Sequence, residues 1–307
     1  MDRATFVKNF ALNREVGIAG KFIYDGMHDL NCIDNYMDID NIFGFLYKIA
    51  VGIERLQKIA YILLKNPDAE EYKHIEEEII THSHVGLQDK INTFTDVSLN
   101  EHQKAFLHLL TRFYNSSRYD RFSFTTSINM EQKLFIGYIK ERLKIDIDID
   151  SIYPTIFENR VKKFLGKVIG DLSNAYYEII CHEAGKIKIC TYELNSFSKS
   201  MKVFANAANK ASLQEQIIDE QIAFKELLIF LLNTKQSSRF YNFIKSIPAL
   251  NIDIAMIQEY LSEFIKGEFP QQLIDELEEL YLNNDFDKKE RFSMLSCIGS
   301  PYCYFDE

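Results

Sequence analysis

Proline and glycine are scarce in this chain. With 5 Pro and 12 Gly in 307 residues, it lacks the turn about every ten residues that an all-β protein requires. Cysteines number five (Cys32, Cys181, Cys190, Cys297 and Cys303), an odd and scattered set without a CxxC pair. Neither a disulfide framework nor a zinc knuckle is indicated, and reduced thiols in a cytoplasm are expected. No apolar run reaches about eighteen residues, so no membrane-spanning helix is expected. The start, Met-Asp-Arg-Ala-Thr-Phe-Val-Lys, has no basic region leading into an apolar stretch, so no secretory leader is expected either. Also missing are GxxxxGK[ST], GxGxxG after a strand, HExxH and GxSxG. Phosphate-loop motors, dinucleotide oxidoreductases, zincins and α/β-hydrolases drop out with them, and no nucleotide cofactor is expected.

What the chain does have is apolar helical patterning. Its 47% hydrophobic fraction, with 24 Phe and 17 Tyr, belongs to a globular protein. Over 42–64, Phe45, Ile49, Gly52, Leu56, Ile59 and Leu63 recur at steps of four and three, a stripe along one helix face, while Lys48, Arg55, Lys58 and Lys65 lie off it. A second helix, 99–114, buries Leu99, Phe106, Leu110 and Phe113, with Ser98 and Glu101 reading as a capping box. Asn66-Pro67-Asp68 stops the first helix and caps an acidic one over 68–81, followed by a short helix at 87–94. Further helices are expected at 129–144, 155–183, 195–208, 213–233 (with Ser212 and Glu215 as a second capping box), 252–266 and 270–282. Residues 1–41 read as short helices broken by turns at Asp25-Gly26 and in the acidic run from Asp34 to Asp40. The alternating 144–151 segment reads as an extended connector, and 186–194 leans toward β. An all-α fold follows, with a boundary placed at 145–153 between residues 1–145 and a C-terminal helical region, 154–307.

The net charge of −10 argues against a protein coated in nucleic acid, but not against a local basic site. Between Glu101 and Lys144, eight basic residues face four acidic ones, a local charge of +4. Arg112, Arg118 and Arg121 cluster where the 99–114 helix runs out, interleaved with Tyr114, Tyr119, Phe122 and Phe124. Guanidinium forks hold phosphates and aromatic faces stack unpaired bases, so Arg118, Tyr119, Arg121 and Lys104 are candidate RNA contacts. The competing reading is that Arg118 and Arg121 pair with Asp120 and fix the helix end. His108 and Arg112 stand four apart on one helix face, an arrangement suited to an acid/base beside a phosphate holder. His82 and His84, in Thr-His-Ser-His, complete no metal pattern, and the Asp34–Asp40 run lacks a calcium loop's glycine and final Glu, so no metal is expected. Cys181-His182-Glu183 makes a weak dyad, because helix neighbours point about 100° apart. Cys297 and Cys303 are read as two free thiols.

Three runs together carry a resemblance: Gly52-Ile-Glu-Arg-Leu-Gln-Lys58, His84-Val-Gly-Leu-Gln-Asp-Lys90 and Phe113-Tyr-Asn-Ser-Ser-Arg-Tyr-Asp-Arg-Phe122. Over about residues 40–145 the chain resembles the HEPN superfamily. That resemblance implies an up-and-down helical bundle, often dimeric with a composite site. Many members are metal-independent RNases of toxin–antitoxin, CRISPR or abortive-infection (antiviral defence) systems. Active members carry Arg, four to six residues, then His; here Arg112 is followed six places on by Arg118, and that histidine is missing.

Three readings follow. One is a degenerate HEPN-like protein that binds RNA or a protein partner. The second is an active RNase in which Arg112, Arg118 and Arg121 hold the phosphate and His108 or His84 moves the proton. The third is a helical scaffold whose apolar faces over 213–282 dock another chain.

Overall fold

The short helix Arg3–Phe6 (α1) and a π-helical turn, Val7–Ala11, lead into Leu12–Cys32 (α2), and a turn through Asn35 and Asp38 reverses the chain into Ile39–Lys65 (α3). The computed structural model describes residues 2–115, 122, 124, 129–148, 154–189, 199–204, 212–283 and 287–305. In chain order there follow Tyr72–Glu78 (α4), His84–Asn92 (α5), Glu101–Asn115 (α6), Met130–Leu143 (α7), Asn159–Lys186 (α8) and Lys199–Phe204 (α9). Leu213–Asn233 (α10), Arg239–Ser246 (α11), Ile257–Lys266 (α12), Gln271–Asn283 (α13) and Lys288–Ser296 (α14) complete the series. The fold is all-α: among the described residues there is no strand, only one antiparallel bridge between Asn35 and Ile156.

α3 is the axis of the bundle. Phe45, Ile49, Leu56, Ile59 and Leu63 are all buried, as their spacing requires. α2 runs antiparallel beside it. A Cβ on Gly26 would come within 2.8 Å of Ile49, and one on Gly52 within 2.6 Å of Ile23 and 3.1 Å of the Ala19 carbonyl. These glycines let two backbones approach. Gly26 therefore lies inside a 21-residue helix, correcting the expected Asp25-Gly26 turn. A buried glycine in a close helix crossing and a turn glycine look alike in one sequence. The off-stripe cations of α3 are each answered by a carboxylate: Lys48 by Asp29 at 2.6 Å, Arg55 by Glu15, Lys58 by Glu54 at 2.7 Å and Lys65 by Glu78 at 2.9 Å.

Around this pair pack α5 to α9. Phe45 meets Phe135 of α7, Phe43 meets Phe113 of α6, and Gly20 of α2 lies against Ser200 of α9. Tyr176 of α8 is fully buried; it accepts from Gln57 at 2.9 Å and donates to Gln88 at 2.5 Å, tying α8 to α3 and α5. Asn66 ends α3 in the left-handed conformation (φ 46°). The acidic helix is shorter than expected, because Asp68 caps a turn over 68–71 before α4 begins.

The capping box of α6 is Asn100 with Gln103, not Ser98 with Glu101. The Asn100 side chain accepts from the Gln103 N–H at 3.0 Å, and Gln103 accepts from the Asn100 N–H at 2.8 Å. That of α10 is as read: Ser212 and Glu215 bond reciprocally at 3.1 and 3.2 Å. The 145–148 segment is extended, with Ile147 buried. Most of the β-leaning 186–194 stretch, and 195–208 apart from α9, lie outside the described residues.

The chain divides into two compact units, Met1–Ile218 and Asp219–Glu307, a division that does not coincide with the composition change at 145–153. In the second unit, Gly267 (φ 83°) ends α12, the Tyr260 hydroxyl donates to Glu276 at 2.8 Å, and Tyr241 donates to the Leu231 carbonyl at 2.5 Å. Helices α11 and α14 were not anticipated from periodicity. Of the described residues in 219–305, only Tyr260 and Pro270 are buried. No described helix is long and apolar enough to cross a membrane.

Candidate functional site

α6 and α7 meet through their apolar faces, Phe106 against Tyr138 with ring centroids 5.5 Å apart. On the outward side of this seam lies an open cleft of about 530 Å³. Its walls carry His108 and Arg112 from α6, and Lys133, Tyr138, Glu141 and Arg142 from α7. The reason is periodic. His108 and Arg112 are one turn apart on the exposed side of α6, so they share a face. Gly137 opens the floor: a Cβ there would meet nothing within 4 Å. Arg142 donates to Glu141 at 2.7 Å, while its Nε is buried without a hydrogen-bond partner. Among its described lining residues, two guanidinium groups, one lysine and an imidazole against one carboxylate make this an electropositive site in an acidic protein.

The sequence-predicted site residues fare differently. His108 and Arg112 come together at the cleft. Lys104 is exposed one turn N-terminal of His108 and pairs loosely with Glu101 at 3.8 Å. Arg118, Tyr119 and Arg121 lie outside the described residues. His84 is a correction. It is fully buried, its Nε2 donates to the Ala50 carbonyl at 2.9 Å, and burial pushes its pKa down. A side chain held so deep in the core is out of reach of an RNA hydroxyl. Lys133, Gly137 and Arg142 were not singled out as site residues. Their signal was the basic content of 129–144, but helical spacing within α7 does not say which face α6 leaves open.

A second polar group lies near the C-terminal end of α6. His82 Nδ1 is 3.0 Å from Glu54 Oε2, and the His82 ring rests on Tyr114 with centroids 4.7 Å apart. Tyr47 stacks on the same tyrosine at 6.0 Å.

The remaining candidates do not assemble. His182 bonds Glu183 at 3.1 Å, whereas the Cys181 thiol, pushed up by burial, bonds Tyr177. A raised thiol is the reverse of an activated nucleophile. Cys297 and Cys303 are free thiols in contact with one another. Among the described residues, no group of three or more His, Cys, Asp or Glu side chains is placed to hold a metal. Comparison of the chain with protein-family models, curated proteins and solved structures finds no match.

Proposed function

We propose that this chain is a HEPN-like RNA-binding protein of the kind that serves prokaryotic defence or toxin–antitoxin systems, and that the RNA phosphates lie in the α6/α7 cleft. One observation carries the reading: Arg112, Lys133, Arg142 and His108 line one open cleft, with Glu141 the single acid among its described lining residues. In a protein of net charge −10 such a gathering is complementary in charge to an anionic ligand. Arginine forks bind phosphate in bidentate fashion. With the family's histidine missing after Arg112, binding is the minimal activity of this site.

The test is a fluorescence-anisotropy titration of a labelled single-stranded oligoribonucleotide with the full chain. Arg112→Ala and Lys133→Ala each weaken binding roughly uniformly across RNA sequences, as phosphate contacts do. Affinity unchanged in both variants sinks the proposal.

A second reading is favoured by a different observation. The second unit buries almost none of its apolar side chains; Leu227, Ile229, Phe230 and Leu232 of α10 are all more than half exposed. Residues 219–307 hold sixteen acids against eight bases. A protein partner with an apolar, basic face, or a second copy of the chain, would cover them. Sedimentation that shows a single chain length at high concentration, with no shift on adding such partners, removes this reading.

A further inference from the structure

Two thiols are brought together by the way α14 ends. Cys297 caps the helix, its N–H donating to the Met294 and Leu295 carbonyls, and the Ile298 N–H donates to the Leu295 carbonyl at 3.0 Å. Gly299 then takes a positive φ of 76°, a conformation that other residues adopt at a cost. This lets the Ser300 N–H turn back to the Cys297 carbonyl at 3.4 Å. The Ser300 hydroxyl accepts from the Tyr302 N–H at 3.2 Å, making a second turn around Pro301. The chain doubles back, and the Cys297 thiol hydrogen-bonds the Cys303 sulfur, a contact that holds the Cys297 pKa up. Both thiols are half-buried, within reach of a small solute. The other described cysteines are placed differently: Cys32 is buried beside His28 at 3.8 Å, and Cys181 bonds Tyr177.

The residues after Cys303 give the pair a consequence. Phe305, two places on, packs against Phe240 and Phe243 of α11 with ring centroids 5.2 and 5.1 Å away. Phe240 in turn lines an open groove with Phe230, Leu231 and Ile244. Tyr302 and Tyr304, on either side of Cys303, are exposed, so Phe305 is what seats this segment on α11. We propose that Cys297 and Cys303 form a reversible dithiol–disulfide site, and that closing the bond holds Phe305 on α11. The inference is independent of the RNA reading. A bond between the two cysteines fixes the link that precedes Phe305, so less chain entropy is lost when the ring docks. In the dithiol form the ring docks more weakly and uncovers Phe240 and Phe243.

The oxidant is a low-molecular-weight disulfide, such as oxidised glutathione. Cys303, as the thiolate, attacks one of its sulfurs and releases one glutathione thiolate. Cys297 is the resolving thiol, because its raised pKa suits it less to attack first. It gives its proton to solvent and attacks the Cys303 sulfur of the mixed disulfide, releasing the second glutathione thiolate. The two cysteines lose two electrons and two protons, and the small disulfide takes them up as two thiols. In a reducing compartment such a bond is transient and reports redox state.

The experiment equilibrates the full chain over a series of reduced-to-oxidised glutathione ratios and quenches it with an alkylating agent. Mass spectrometry then reads the tryptic peptide 292–307, which holds both cysteines. Oxidising ratios are expected to give a peptide that lacks two hydrogens and takes no label, and dithiothreitol restores two labels. The midpoint is expected at a ratio about tenfold or more to the reducing side of that for the same chain in urea, since the turn holds the sulfurs together. Cys297→Ser and Cys303→Ser each keep one thiol, and the same ratios should give them only a glutathione adduct. Hydrogen exchange at Tyr304 and Phe305 should be slower in the disulfide form than in the dithiol. Two labels at every ratio overturn the proposal, as does a bridge to Cys190 or to a second chain. Equal midpoints with and without urea overturn the part given to the fold, and equal exchange in the two forms overturns the hold on Phe305.

Discussion

The imidazole of His84 donates from Nε2 to the carbonyl oxygen of Ala50, 34 residues earlier, at 2.9 Å. A carbonyl only accepts, so the neutral ring carries its proton on Nε2, and Nδ1 is left buried without a partner. Burial is the largest cause of its lowered pKa. The sign follows: a depressed pKa gives stability that is complete above the unfolded value of about 6.5 and lost as pH falls below it. Melting temperature should fall between pH 7 and pH 5, with His84 contributing up to about 1.4 kcal/mol per pH unit. His84→Gln should flatten that dependence, as read by urea denaturation at several pH values. An unchanged slope would place the sensitivity elsewhere.

Glycines at helix crossings and at the cleft should respond in opposite directions to alanine. Gly20→Ala and Gly52→Ala force a Cβ to within 2.6 Å of the Ser200 Cα and of Ile23 Cγ1, respectively. Each should cost about 1–3 kcal/mol by overpacking, only partly offset by better helix propensity. Gly137→Ala meets open space and should stabilise by about 0.5–1 kcal/mol. Chemical denaturation of the three variants checks the signs.

Enlarging the same position separates fold from function. Gly137→Met should fill the floor of the cleft, leave the melting temperature equal to or above wild type, and weaken RNA binding. RNA affinity equal to wild type in a stably folded Gly137→Met protein would move the binding surface away from α6 and α7.

Tyr176→Phe removes the hydroxyl that accepts from Gln57 and donates to Gln88. Gln88 Oε1 would then be left without that donor in a buried setting, at a cost of about 1–3 kcal/mol. The loss should appear as a lower urea midpoint with an unchanged slope.

The all-α architecture was legible because stripes such as Phe45, Ile49, Leu56 and Leu63 have one physical solution, a buried helix face. Gly26 was misread as a turn because the close approach of Ile49 that explains it comes from a different helix. Of the site, the His108/Arg112 pair was legible from its spacing of four. The rest depended on contacts distant in sequence: Lys133 and Arg142 arrive with α7, and Glu54 stands 28 residues before the histidine it holds. His84, two residues from His82, shares its local sequence signal but points into the core. No spacing rule distinguishes the two.

The most direct test of the account is the salt dependence of RNA affinity in wild type and in Arg112→Ala/Lys133→Ala. Each phosphate contact to a single strand contributes about −0.7 to the slope of log K against log salt. Removing two cations from the cleft should therefore make the slope shallower by about 1.4, in a variant that thermal melting shows to be folded. Identical slopes in the two proteins would contradict an RNA site between α6 and α7.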